Sequence, residues 1–161
     1  MPTITVDQAG GLNRCAFLDM LAVSELTQAL IDATDDGYNV LVGATAAHPL
    51  TFPSYATHPN IFNAALNSDA AGRYQLMHKW YQPYASLLKL SDFRPLTQDL
   101  IALQQIRECR ALPCIDAGNL AQAVALCNHI WASLTGSPYG QHTNSLDSLQ
   151  AAFALNGGTP A

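Results

Sequence analysis

The chain has 161 residues, with seven lysines plus arginines against twelve aspartates plus glutamates, for a formal charge of −5. With 49% hydrophobic and 12% charged residues it carries enough apolar surface for a real core, which excludes a disordered chain. The acidic balance, with no basic run, excludes nucleic-acid binding driven by phosphate neutralisation and adhesion to anionic lipid. No run approaches the roughly 20 apolar residues that span a bilayer. The first residues lack a basic start followed by an apolar block, so no cleaved signal is expected.

In chain order, residues 1–12 read as a loose lead-in to a single domain covering 1–161. A first helix is expected over about 13–28, with Asn13 as its N-cap. Residues 32–37 are turn-rich, and 38–43 form a short β-like run ending in glycine. Residues 44–67 hold Pro49, Pro53 and Pro59, which forbid a long regular element. A loop of that length in a compact domain is often functional. A helical stretch is expected over 70–90, kinked or split at Pro83. Another starts at Pro95 and runs to about residue 110. Asn119 caps a helix through about residue 131. Residues 134–141 form a second glycine- and proline-rich loop. Asn144 with Asp147 resembles a capping arrangement, and Asn156-Gly157-Gly158 stops the last helix. The sum is a mostly helical α+β domain with a small β region in its N-terminal half.

Four cysteines stand at 15, 109, 114 and 127. Free thiols are expected, because no export signal points to an oxidising compartment. Neither the cysteines nor His48 and His58 show the short paired spacing of a metal site, so no metal or other cofactor is expected. Trp80 and Trp131 read as core residues.

Glu25 is the most unusual residue of the pattern. It lies four residues beyond Leu21 and seven beyond Leu18, so it prolongs an apolar helical face. Burial and the helix C-terminus both disfavour negative charge there, and both raise a carboxyl pKa. A carboxyl held protonated near neutral pH is what a glycosidase needs as its general acid. Asp32, Asp35 and Asp36 follow at distances where a partner carboxylate could occur, though turn chemistry also explains them.

The run Phe17-Leu18-Asp19-Met20-Leu21-Ala22-Val23-Ser24-Glu25 resembles the catalytic segment of the bacteriophage lambda lysozyme family. Further blocks resemble that family in the same order: Gly37-Tyr38-Asn39-Val40, Ala71-Gly72-Arg73-Tyr74-Gln75-Leu76, Ala102-Leu103-Gln104-Gln105-Ile106, Asn128-His129-Ile130-Trp131-Ala132-Ser133-Leu134 and Tyr139-Gly140-Gln141. The similarity covers about residues 15 to 158. One such motif is weak; the ordered set is specific.

The resemblance implies a lysozyme-like fold and a phage endolysin acting as a lytic transglycosylase. It implies cleavage of the β-1,4 bond between N-acetylmuramic acid and N-acetylglucosamine in peptidoglycan, with 1,6-anhydromuramoyl products. Glu25 is then the catalytic acid. Tyr38, Asn39, Phe52, Tyr55, Arg73, Tyr74, Gln75, Tyr139 and Gln141 are the implied substrate-binding residues. Residues 44–67 and 134–142 are the implied lips of the cleft. The implied partners are glycan strands and a separate membrane-permeabilising holin. The implied form is a monomer held in the host cytoplasm until lysis and acting on periplasmic peptidoglycan. A hydrolytic muramidase and a non-catalytic glycan-binding protein are the competing readings. Two departures stand out: Asn39 where the lambda member of the family has aspartate, and Leu26 where it has glycine.

Overall fold

The computed structural model describes residues 1–140 and 142–161. The chain folds into two compact units, Met1–Ser24 with Ala102–Ala161, and Glu25–Ile101. The division falls within two helices, α2 (Leu12–Leu26) and α5 (Pro95–Glu108).

The first unit is helical. Its lead-in is ordered: α1 (Val6–Ala9) is closed by a capping box in which Thr5 Oγ1 accepts from the Gln8 N–H and Gln8 Oε1 accepts from the Thr5 N–H. That Thr-x-x-Gln signature explains why residues expected to be loose are not. In α2, Cys15, Ala16, Phe17, Leu18, Met20, Leu21 and Ala22 are all fully buried. The helix is therefore buried on all sides over two turns, not along one stripe. Asn13 does not cap it. Its Nδ2 donates to the Ile115 carbonyl at 3.0 Å, and its Oδ1 accepts from the Thr159 N–H at 2.9 Å, tying α2 to the chain's last residues.

The rest of this unit comprises the second half of α5, α6 (Leu112–Asp116), α7 (Leu120–Cys127) and α8 (Leu146–Leu155). Asn119 caps α7 as expected, accepting from the Gln122 N–H. The helix ends at Cys127, earlier than its apolar spacing suggests, and Trp131 is buried beyond it. Ser145, not Asn144, caps α8. Arg14 makes a two-pronged ion pair with Asp116, both N–O distances 2.7 Å, and the pairing lowers the Asp116 pKa. All four cysteines are free thiols. The neighbouring Cys127 thiol lowers the Cys109 pKa, while Cys109 and burial raise that of Cys127.

The second unit begins with α3 (Gln28–Asp32) and holds α4 (His78–Leu88) and the first half of α5. Between α3 and α4 the chain makes isolated antiparallel bridges instead of full strands: Val40 with Thr51, Leu41 with Ala71, Ala71 with Leu76, Thr45 with His48, and Asn63 with Ser68. The β-like run over 38–43 is thus real but contributes single rungs. Residues 70–76, expected to be helical, form a tight hairpin bend, and the helix starts only at His78. Pro83 sits inside α4. On α4 the buried positions are Tyr81 and Ala85, one turn apart. Trp80 therefore falls on the outer face and is 52% exposed, contrary to its expected core place, with Lys79 Nζ 5.4 Å from its ring centroid.

A core cluster in this unit joins Phe52, Ala71, Leu76, Tyr81, Ala85, Phe93 and Ile101. His58 is buried among aromatic rings, its ring 4.8 Å from that of Phe93 and 5.8 Å from that of Tyr81. Its Nδ1 accepts from the Asn60 N–H at 3.1 Å, which makes Nε2 the protonated nitrogen that donates to the Leu76 carbonyl at 2.8 Å. Burial lowers the His58 pKa from its ordinary value of 6.5, and the neighbouring His78 adds to the shift, against the Leu76 carbonyl and Asp69.

A histidine kept neutral in the folded state binds fewer protons there than when unfolded. Its contribution to stability is complete above the unfolded pKa and is lost as pH falls toward the lowered folded value. Urea unfolding from about pH 7.5 to about pH 5.5 is expected to show falling stability, with a flatter profile in His58→Gln. Parallel profiles for the two proteins contradict this account of His58.

Candidate active site

Glu25 is the next-to-last residue of α2 and is half-buried. The preceding residue is tied down within the first unit. Ser24 Oγ lies 2.7 Å from Ser133 Oγ, and Asn144 Nδ2 donates to both the Ser24 carbonyl and hydroxyl. The carbonyls of a helix's last turn lack intrahelical partners, and Asn144 supplies one.

After Glu25 the chain turns at once. Leu26 is 5% exposed, and its Cδ1 lies 2.7 Å from where a Cβ on Gly37 would stand. Gly37 has φ +81°, so glycine is required there for backbone and for space alike. Leu26, singled out by sequence as a departure near the acid, is therefore a buried packing residue.

Beyond Gly37 lies a buried polar hub that sequence reasoning missed. Asp99 is fully buried, and its Oδ1 accepts from the hydroxyls of Tyr38 at 2.8 Å and Tyr74 at 2.7 Å. Burial and the Asp99 charge push the Tyr74 pKa well up. The adjacent Gln98 donates from Nε2 to the carbonyls of Tyr38 and Phe93, and its Oε1 accepts from the Arg73 N–H. Arg73, 3% exposed, donates from Nη1 to the Asp36 carbonyl, and its guanidinium carbon stands 5.1 Å from the centre of the Tyr38 ring.

The implied binding residues therefore divide. Tyr38, Phe52, Arg73 and Tyr74 are 2–4% exposed and pack inside the second unit, so they offer little surface to a ligand. Asn39, Tyr55 and Gln75 are half-buried. Asn39 Oδ1 accepts from the Asp35 N–H, and the Tyr55 hydroxyl donates to Asp35 Oδ2 at 2.5 Å; burial first, and then this bond, raise the Tyr55 pKa. Gln75, with φ +48°, donates from its side chain to the Gly72 carbonyl. Tyr139 is 56% exposed, with its hydroxyl on the His129 carbonyl. Gln141 lies outside the described residues. Asp32 accepts from Gln28 Nε2 within α3, and Asp35 accepts from the Tyr55 hydroxyl 20 residues away, so both carboxylates are engaged by side chains of the second unit. Leu50, Ile61 and Phe62 line an open apolar groove of about 430 Å³ to which none of the implied binding residues contributes. Among the described residues no group of three or more histidines, cysteines or carboxylates is placed to hold a metal.

A half-buried glutamate ending a buried helix, followed by a small bridged region and a helical remainder, defines a lysozyme-like protein. Solved structures agree. The bacteriophage lambda lysozyme complexed with a chitohexasaccharide superposes with a TM-score of 0.86 at 44% identity, over 100% of each chain. A second structure, lysozyme from bacteriophage lambda, gives 0.80 at 42% identity, again over 100% of each chain. The family model described as Endolysin matches residues 15–160. The endolysin of Escherichia phage lambda is 47% identical over 150 residues, covering 91% of this chain and 92% of that protein. That of Escherichia phage P2 is 41% identical over 169 residues, covering 100% of both. The chain belongs to the endolysin family, enzymes of the phage lysozyme class that degrade peptidoglycan.

The hub makes a stability prediction. Tyr38→Phe and Tyr74→Phe are each expected to cost about 1.5–3 kcal/mol by urea unfolding, as single buried hydrogen bonds to a charged group do. The double variant is expected to cost more than the sum, because it removes both hydroxyl donors from one buried carboxylate. Strict additivity contradicts a shared hub.

Proposed function

We propose that this endolysin is a lytic transglycosylase that uses Glu25 as its only protein acid–base group. The observation that carries the reading is the placement of Glu25, half-buried at the end of a helix packed on all sides. In the reaction, protonated Glu25 gives its proton to the glycosidic oxygen between N-acetylmuramic acid and N-acetylglucosamine, and the C1–O bond breaks. The muramoyl C6 hydroxyl bonds to C1 and its proton passes to the Glu25 carboxylate. The acid is regenerated and a 1,6-anhydro ring is formed without water. A second carboxylate is not required, unlike in hydrolytic glycosidases. This is compatible with the Asp32 and Asp35 carboxylates being engaged by Gln28 and Tyr55, and with an amide at Asn39.

Burial supports a division of the binding roles that the family resemblance implies. Tyr139, Tyr55, Asn39 and Gln75, which keep exposed surface, are assigned to sugar contact, and Gln141 is assigned there on the family resemblance alone. Tyr38, Phe52, Arg73 and Tyr74 are assigned to internal support of the second unit, because their side chains are buried. The solved complex of the lambda lysozyme with a chitohexasaccharide supports an extended glycan as the ligand class. Among the described residues no helix is long and apolar enough to cross a membrane. We assign the enzyme a monomeric form that accumulates in the host cytoplasm and reaches periplasmic peptidoglycan through a separate holin.

Mass spectrometry of digested peptidoglycan tests the chemistry. Muramoyl ends about 18 mass units lighter than reducing ends, by loss of one water, are expected. Reducing ends alone turn the assignment to a hydrolytic muramidase. Glu25→Gln is expected to lower the lytic rate by roughly 10³-fold while leaving the thermal midpoint nearly unchanged. Wall binding without lysis by the unmutated protein points to a non-catalytic glycan binder instead.

A further inference from the structure

Two residues after Glu25 stands Thr27, with φ +69° and ψ 148°. This is a backbone conformation that glycine adopts freely and that a β-branched residue adopts only under strain. The strain is held from both sides. Leu26 before it is buried, and Leu30 and Ile31 of α3 after it are buried as well. Thr27 occupies the N-cap position of α3, where a threonine hydroxyl ordinarily accepts a hydrogen bond from the helix's first turn. Here it makes no such bond. Its carbonyl accepts from the Ile31 N–H at 3.2 Å, which any residue provides. The local structure therefore uses nothing that distinguishes threonine from glycine. The side chain is exposed, and its hydroxyl has no hydrogen-bond partner among the described residues.

We infer that Thr27 is a substrate-contacting residue of the Glu25 site, its hydroxyl hydrogen-bonding a hydroxyl or acetamido group of an N-acetylated amino sugar next to the scissile bond. The inference rests on the assignment of Glu25 as the acid. The branched side chain restricts χ1, so the hydroxyl is held in few orientations and loses little freedom when a sugar arrives. A strained residue beside an acid, kept in place by packed neighbours, is a form of preorganisation. Leu26 and Thr27 thus divide the turn: Leu26 points into the packing against Gly37, and Thr27 leaves its hydroxyl to solvent.

The test compares Thr27→Val, Thr27→Gly and Thr27→Ser in the full chain. It reads kcat/KM on purified peptidoglycan, Kd for a chitohexasaccharide in a Glu25→Gln background, and the thermal midpoint. Thr27→Val keeps the branched shape and removes the hydroxyl. It is expected to lower kcat/KM and weaken saccharide binding by about tenfold, with the midpoint nearly unchanged. Thr27→Gly is expected to show the same loss while its midpoint rises, because the strain is relieved. Thr27→Ser, which restores the hydroxyl, is expected to recover most of the loss. Unchanged kcat/KM and saccharide affinity in Thr27→Val or Thr27→Gly overturns the inference, as does a Thr27→Ser variant as impaired as the valine. Lysis that survives Glu25→Gln overturns the assignment of the acid instead, and the saccharide affinities still read Thr27 by themselves.

Discussion

A carboxylate taken fully out of water must be met by donors, and Asp99 is where the second unit meets that demand. Its two tyrosine donors come from the bridged run after Gly37 and from the bend after Gly72, while Asp99 itself lies on a helix. Gln98 beside it binds the backbone of the same segments. Two consecutive helix residues thereby fasten pieces of chain that share only isolated bridges with one another. In a larger sheet, ladder hydrogen bonds between strands do this work. Here the two backbone hydrogen bonds, from the Gly72 N–H to the Val40 carbonyl and from the Val42 N–H to the Ala70 carbonyl, are supplemented by side chains, so the region depends on a few polar atoms instead of a repeating pattern.

This arrangement gives several residues a different meaning from the one their sequence blocks imply. Tyr38, Arg73 and Tyr74 belong to motifs associated with the catalytic family, and polar or aromatic residues in such motifs invite assignment to substrate. Their side chains are buried: the hydroxyls meet Asp99, and the guanidinium meets a carbonyl and an aromatic face. A recurrent motif marks that a position matters. It does not separate touching a ligand from holding what touches it. Leu26 shows the converse, since a bulky residue beside the acid packs inward once Gly37 leaves it room.

Helices with strong end signals were legible from sequence. Pro95 opens α5, Asn119 caps α7, and glycines follow the last helix at Asn156, because these effects act within a few residues. The misreadings share one cause. Asn13 and Asn144 resemble caps, yet their amides reach residues far away in the chain, Thr159 and Ser24. The residues from Ala70 to Leu76 resemble a helix start, but pairing of Ala71 with Leu41 and Leu76 makes a bend. Trp80 falls outside the core because the buried face of α4 is set by Tyr81 and Ala85. In each case a long-range partner outcompeted a local preference.

The sequence by itself determined the family, the mostly helical α+β class and the candidate acid. Ordered motifs and apolar periodicity survive in one dimension. Tertiary structure alone decided which motif residues face inward, that Asp99 gathers two tyrosines, and that Thr27 carries a strained backbone with an uncommitted hydroxyl. Burial, hydrogen-bond partners and a positive φ arise from contacts between segments distant in sequence, and no local spacing encodes them.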